Sequence, residues 1–302
     1  MNAPVTLAES YDICRTTARR AAGNFYYSFW ALPREKRLAM CALYAFFRRT
    51  DDLGDDGGSV DVRGASLQTW RESLARAMAG TFDDPLLPAL ADVVRRYSIP
   101  LEYLTTSIDG VESDLTRTQI ATSEEVDRYC YQVASVVGLA CMHVWGFRND
   151  PRSLAAAHAC GTAFQMTNIL RDVKEDAERG RVYLPFEVLS RHGVDPSQLL
   201  AGKFDERGRA VVRELAEQTE LHYRAARELF LYLSDDGRRS YGAMWSIYHG
   251  LLERIRAADG DVFSRRIRVP TWRKTTIALR HMLPRFVPFW GRRTTGTLSP
   301  SP

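Results

Sequence analysis

No stretch of this sequence approaches the roughly 18 uninterrupted apolar residues that a membrane span needs, so an integral membrane protein is not expected. The N-terminal MNAPVTLAESYDICRTTARR lacks an apolar core followed by a small-residue cleavage site, which argues against a secretory signal and for the cytoplasm. Cysteine is scarce: the five residues Cys14, Cys41, Cys130, Cys141 and Cys160 are odd in number, show no CxxC spacing and read as reduced core residues. No period of about 20 to 50 residues repeats, so a solenoid is excluded, and no Rossmann-type glycine fingerprint is present. Acids are absent after Asp261, a region that holds nine Lys and Arg, so the rest of the chain is net acidic although the whole carries +4. A tail of that kind is a solvated end, a nucleic-acid arm or a contact for anionic lipid, and charge alone does not choose.

What is present points to helices. The 302 residues are 45% hydrophobic and contain no linker-like stretch, consistent with one large domain. Apolar residues recur at helical spacing, whereas alternating runs bounded by hairpin turns are hard to find, so the fold is expected to be all-α. Helices are expected near 5–22, 34–55, 62–79, 85–98, 101–118, 123–146, 151–177, 205–234, 237–257 and 271–282. Pro33, Gly57 with Gly58, Pro100 and Asp150-Pro151 punctuate them, and Gly180 and Pro185 bracket the loop RGRVYLP.

Two acidic helix ends carry the chemistry. In YAFFRRTDDLGDD, Asp51 and Asp55 are four apart and share a face, with Asp52 and Asp56 offset beside them. Carboxylates crowded at a helix C-terminus repel one another and oppose the macrodipole, so a cation is the natural compensation. Mg²⁺ suits them, as a hard ion held by one or two carboxylates together with substrate phosphates; Mn²⁺ is the alternative. In GTAFQMTNILRDVKEDAERGR, Asn168, Asp172 and Asp176 recur at every fourth position, with Gln165 one turn earlier and an apolar lead-in. That combination suggests a charged head-group site over a hydrocarbon pocket. A single DxxxD is usually a solvated helix end; two with the same surroundings are another matter. Arg48, Arg49 and Arg171 adjoin the acids and suit phosphate oxygens, although ordinary salt bridges would also explain them.

From about Tyr11 to Arg268 the chain resembles the head-to-head prenyl synthases, the squalene and phytoene synthases. The segments FYYSFWALP, ALYAFFRRTDDLGD, IDGVESDL, YCYQVASVVG, FQMTNILRDVKEDAERGRVYLP and Tyr248 to Arg265 carry the likeness in the family's order. The resemblance implies an all-α isoprenoid-synthase fold with a central cavity, a catalytic domain over 1–268 and a basic helix and tail over 269–302. It implies Asp51, Asp55, Asp172 and Asp176 as catalytic Mg²⁺ ligands with Asn168 and Gln165 beside them. Arg48, Arg171, Tyr248 and Arg265 would face diphosphate, Tyr129 the reacting carbons, and Asp114 would serve only as a supporting acid. Gly23 and Asn24 stand where many relatives carry hydroxyls.

The implied reaction joins two prenyl diphosphates through a cyclopropylcarbinyl diphosphate, with pyrophosphate or Tyr129 taking the proton and NADPH use left open. Phe25 and Phe29, four apart if their segment is helical, are expected to line the prenyl pocket and shorten it, favouring farnesyl diphosphate and a C30 product over geranylgeranyl diphosphate and phytoene. NILRDVKED fits neither a head-to-tail synthase nor a terpene cyclase. A non-catalytic scaffold relative would be expected to lose aspartates, and only the tail favours nucleic acid, which is not expected as a partner. Basic and aromatic residues together in the tail suggest peripheral contact with the inner face of a membrane, while oligomeric state is left open.

Overall fold

The computed structural model describes residues 5–21 and 26–282, and within them the chain is helical almost throughout. The helices are α1 Leu7–Ala21, α2 Arg34–Asp55, α3 Val60–Met78, α4 Leu87–Arg96, α5 Leu101–Ser113, α6 Ser123–Cys130, α7 Val136–Trp145, α8 Pro151–Glu178, α9 Phe186–Arg191, α10 Pro196–Leu200, α11 Glu206–Ala226, α12 Asp235–Ala257 and α13 Thr271–Met282. Pairing of strand type among the described residues is limited to two isolated bridges, Gln119 with Val182 and Phe147 with Leu233.

Two of these helices form the frame. α2 starts behind Pro33 and is buried on nearly every side from Ala39 to Phe47, as expected of a central helix with apolar residues all round. α8 starts at a capping box, with Asp150 accepting from the Arg152 amide and Ser153 returning to the Asp150 amide, and Pro151 occupies the first helical position. Both helices run from an apolar interior to an acidic C-terminal end. α11 and α12 pack along α8, while α5 and α7 pack against α2.

The expected 123–146 helix is helical throughout Ser123 to Trp145 but carries a π-turn, Tyr131–Ser135, between α6 and α7. A π-turn inserts one residue into the 3.6 period, which sequence periodicity does not register. It lies opposite Gly161 of α8, where any Cβ would come within 2.6 Å of the Ser135 amide nitrogen. Gly161→Ala is therefore expected to lower stability by about 1–3 kcal/mol through overpacking, because the obstacle is backbone. A denaturant midpoint equal to wild type would contradict this contact.

Other bounds also moved. The expected 101–118 helix stops at Ser113, and the 205–234 helix gives way after Ala226 to a 3₁₀ turn over Arg227–Leu231. α9, α10 and a 3₁₀ turn over Tyr26–Ala31 were not expected at all; each is too short to show a period.

Candidate functional site

The C-terminal ends of α2 and α8 bring their acids to one polar chamber of about 230 Å³. Asp51 and Asp55 line it from α2, and Gln165, Asn168, Asp172 and Asp176 line it from α8. The opposite wall is Asp114 and Tyr129, while Arg179, Arg181 and Tyr183 close the rim. Gly180, at φ +76°, reverses the chain beyond α8, and the Arg181 amide returns to the Asp176 carbonyl at 2.8 Å. That reversal carries Arg181 back over the acids.

Enclosure dominates the electrostatics. The Asp51 carboxyl is reached by water from the chamber yet surrounded by protein, and this desolvation raises it to about 7 against the opposing pull of Arg48, with Asp55, Asp52 and Asp114 adding to the rise. Burial, then Asp172, raises Asp176 to about 7 as well. Asp114 is raised by burial despite a 2.8 Å hydrogen bond from the Tyr129 hydroxyl. Acceptors remain unused: Asp114 Oδ1 and Asn168 Oδ1 are buried without a hydrogen-bond partner. Surplus carboxylates together with orphaned oxygens form a donor set that fits a hard divalent cation.

Below the acids lies a second, apolar chamber of about 260 Å³. Arg48, Asp51, Gln165 and Asn168 line both chambers, so the two adjoin at these side chains. The lower chamber reaches Met40 on α2 and Ala157 on α8, each eleven residues from Asp51 or Asn168, a depth of about 16 Å at the helical rise. Phe29, Phe47, Trp145, Phe164 and Tyr241 supply aromatic walls. Of its polar atoms, Thr50 donates to the Phe46 carbonyl and Tyr241 to the Ala226 carbonyl, while the Trp145 indole N–H is buried without a hydrogen-bond partner. Burial pushes the Cys141 and Cys160 thiols up to about 12, which keeps them neutral.

The expected residues fall into three groups. Asp51, Asp55, Gln165, Asn168, Asp172, Asp176, Arg48 and Tyr129 all line the polar chamber, and Arg48 meanwhile pairs with Asp52 at 2.5 Å. Arg171 and Tyr248 line neither chamber: Arg171 is paired with Asp172, and the buried Tyr248 ring stacks on Phe164 at 4.4 Å. Arg265 is exposed, and its neighbour Arg266 makes the ion pairs, at 3.1 Å to Asp172 and 2.7 Å to Glu175.

Phe29 does line the apolar chamber, but from a 3₁₀ turn, where its neighbour is Tyr26 at 6.2 Å, three residues away. Phe25, Gly23 and Asn24 lie outside the described residues. Sequence reasoning did not name Arg179, Arg181 and Tyr183, which line the polar chamber together with Asp114, expected there only as a supporting acid. The visible signal was the chain-reversing glycine placed directly after the acidic helix. Glu220, His249 and Glu253 also place donor atoms within 4.8 Å of one another, but they line neither chamber, and Arg224 and Arg256 pair with the two carboxylates.

A family model described as squalene/phytoene synthase matches residues 18–273. A 15-cis-phytoene synthase of Synechococcus elongatus is 35% identical over 280 residues, covering 89% of this chain and 91% of that one. A phytoene synthase of Arthrospira platensis is 35% identical, with 91% and 93% covered. Among solved structures, a dehydrosqualene synthase in complex with ligand superposes with a TM-score of 0.82 at 29% identity, covering 91% of this chain and 96% of that one. A squalene synthase of Alicyclobacillus acidocaldarius gives 0.78 at 26%, with 85% and 97% covered.

Proposed function

The chain belongs to the squalene/phytoene synthase family and is a prenyltransferase, and we propose that it joins two prenyl diphosphates head to head through a cyclopropylcarbinyl diphosphate, releasing pyrophosphate. The observation that carries this reading is an acid-lined chamber set directly against an apolar one that spans about 16 Å along α2 and α8. Incubation with farnesyl or geranylgeranyl diphosphate and Mg²⁺, with and without NADPH, followed by mass analysis of the products, tests it. No pyrophosphate from either substrate would overturn it.

Family members use a divalent metal, and here Asp51, Asp55, Asn168, Asp172 and Asp176 are proposed to hold Mg²⁺. When bound, the ion neutralises the diphosphate and eases its departure. Arg48, Arg179 and Arg181 are placed to hold diphosphate oxygens, and the apolar chamber keeps water from the allylic cation left behind. Aromatic faces of Phe29 and Phe164 offer that cation a π surface.

Desolvation holds Tyr129 well above the usual phenol range, so it stays protonated. It can take a proton only while passing its own to Asp114 Oδ2, and Asp114, itself raised, can keep it. Pyrophosphate is the competing acceptor.

Because Asp51 and Asp176 rest at about 7, a cation must displace their protons at low pH. Mg²⁺ affinity is expected to tighten from pH 6 to pH 8 by about tenfold for each carboxylate that titrates. Calorimetric titration checks this, and pH-independent affinity would remove these two residues from the ligand set.

For chain length, the bulky Phe29, Phe47, Trp145 and Tyr241 that wall the apolar chamber favour the shorter farnesyl diphosphate and a C30 product. The competing reading, geranylgeranyl diphosphate to phytoene, is favoured by the names of the curated relatives at 35% identity. In either case the product is an oil, and the basic stretch after Asp261 offers a means of staying near the bilayer that receives it.

A further inference from the structure

α13 turns an apolar stripe outward. Its inner side packs on α12 and on the Tyr26–Ala31 turn, with Ala278 buried and His281 seated over Gly242. Ser246 Oγ lies 3.3 Å from His281 Nε2, and a Cβ at position 242 would come within 2.8 Å of His281 Nδ1, so the helix is fitted closely to α12. On the outer side Trp272 is 67% exposed, Leu279 52% and Met282 42%. Trp272 and Leu279 are seven residues apart, which puts them on one line of the helix two turns apart. Arg273 and Arg280, both exposed, flank that line at the same interval.

A large indole and two long aliphatic side chains standing in water beside arginines are the pattern of a helix that lies in a lipid headgroup layer. Nucleic acid would account for the arginines but not for the stripe. Charge complementarity selects the kind of lipid: no acid occurs after Asp261, where nine Lys and Arg lie, so an anionic surface is attracted over the whole segment. Position selects the consequence. The turn on which α13 rests carries Phe29, a wall of the apolar chamber.

We propose that the Trp272, Leu279 and Met282 face of α13 docks on an anionic lipid bilayer and thereby sets the Phe29 wall of the apolar chamber beside the membrane that takes up the hydrocarbon. The delivery part rests on the condensation reading above; the docking part does not. Flotation of the full chain with phosphatidylglycerol–phosphatidylcholine vesicles, and with phosphatidylcholine alone, tests it without any turnover. Binding to the anionic vesicles is expected to be at least about tenfold stronger and to weaken with salt.

Trp272→Glu with Leu279→Glu is expected to lose that binding about tenfold or more, while helical circular dichroism and pyrophosphate release in detergent stay as in wild type. Equal vesicle binding by this variant, or no binding by wild type to anionic vesicles at low salt, overturns the proposal. Should the double variant fail to fold, Arg273→Gln with Arg280→Gln leaves the stripe intact and must still lose the anionic preference; an unchanged preference is fatal to the idea. If the glutamate variant abolishes a self-associated species in sedimentation yet leaves vesicle binding intact, the face belongs to a second copy and the proposal falls. Condensation failing while vesicle binding persists would refute only the enzymatic reading.

Discussion

Asp51→Asn is expected to lower turnover about a thousandfold, roughly 4 kcal/mol of transition-state stabilisation, while making the metal-free protein more stable. The two effects have one cause. Enclosure raises Asp51 to about 7 in the folded chain against an ordinary 3.8, so the folded state binds more protons than the unfolded one between those values. Stability of the metal-free protein therefore falls as pH rises through that window, and the whole loss is present above pH 7. Water reaching the carboxylate screens part of this, which leaves about 1–2 kcal/mol for asparagine to recover at pH 8, a rise of a few degrees in melting temperature.

Asp172→Asn should lose comparable activity without that gain. Its carboxylate is paired with Arg171, which is largely buried, while the exposed Arg266 it meets at 3.1 Å keeps Glu175 at 2.7 Å; removing it therefore strips Arg171 of that partner and lowers stability by about 1–3 kcal/mol. Thermal melts without metal at pH 5 and pH 8, run beside Mg²⁺-saturated kinetics, check the pair. An Asp51→Asn protein that keeps wild-type turnover at limiting Mg²⁺ would break the ligand assignment, and one that melts lower at pH 8 would break the electrostatic argument.

Legibility in the sequence followed the length of the pattern. α2 was expected over 34–55 and occurs over Arg34–Asp55, and α8 starts at Pro151 as expected and ends one residue later, because long apolar runs with proline and capping signals overdetermine a helix. The two acidic ends could be read for the same reason: carboxylates at every fourth position of a certain helix must share a face. The contacts that complete the chamber could not. Asp114 enters because α5 stops at Ser113, and Arg181 enters because Gly180 reverses the chain; both depend on where a helix ends, the weakest point of any periodicity argument. Arg171 adjoins the acids in sequence but points along α8 to its neighbour Asp172, so adjacency misled where geometry decides. The π-turn that follows Tyr129 has no periodic signature.

Phe29→Ala is expected to raise the use of geranylgeranyl over farnesyl diphosphate by about ten- to a hundredfold. Every prenyl diphosphate presents the same head group to the acids, so discrimination must come from the apolar chamber. Phe29 is nearly fully buried and stands edge-on to Tyr44 at 6.5 Å, and Tyr44 is seven residues before Asp51, so the ring meets the chain about 10 Å below the acids. Below it, Met40, Trp145 and Tyr241 remain as the floor. The ring therefore narrows the chamber before the floor closes it, and its removal gives room for the five extra carbons, worth several kcal/mol at about 0.8 kcal/mol per buried CH₂ when they fit. Truncation also leaves a cavity when substrate is absent, at a cost of about 3–5 kcal/mol, so Phe29→Leu belongs beside it as a milder step that should move the ratio in the same direction. Competition between the two substrates, read as the C30 to C40 product ratio, gives the answer. A folded variant with an unchanged ratio would show that Phe29 only packs helices, and a wild-type protein already preferring the C20 substrate would hand chain length to the phytoene reading.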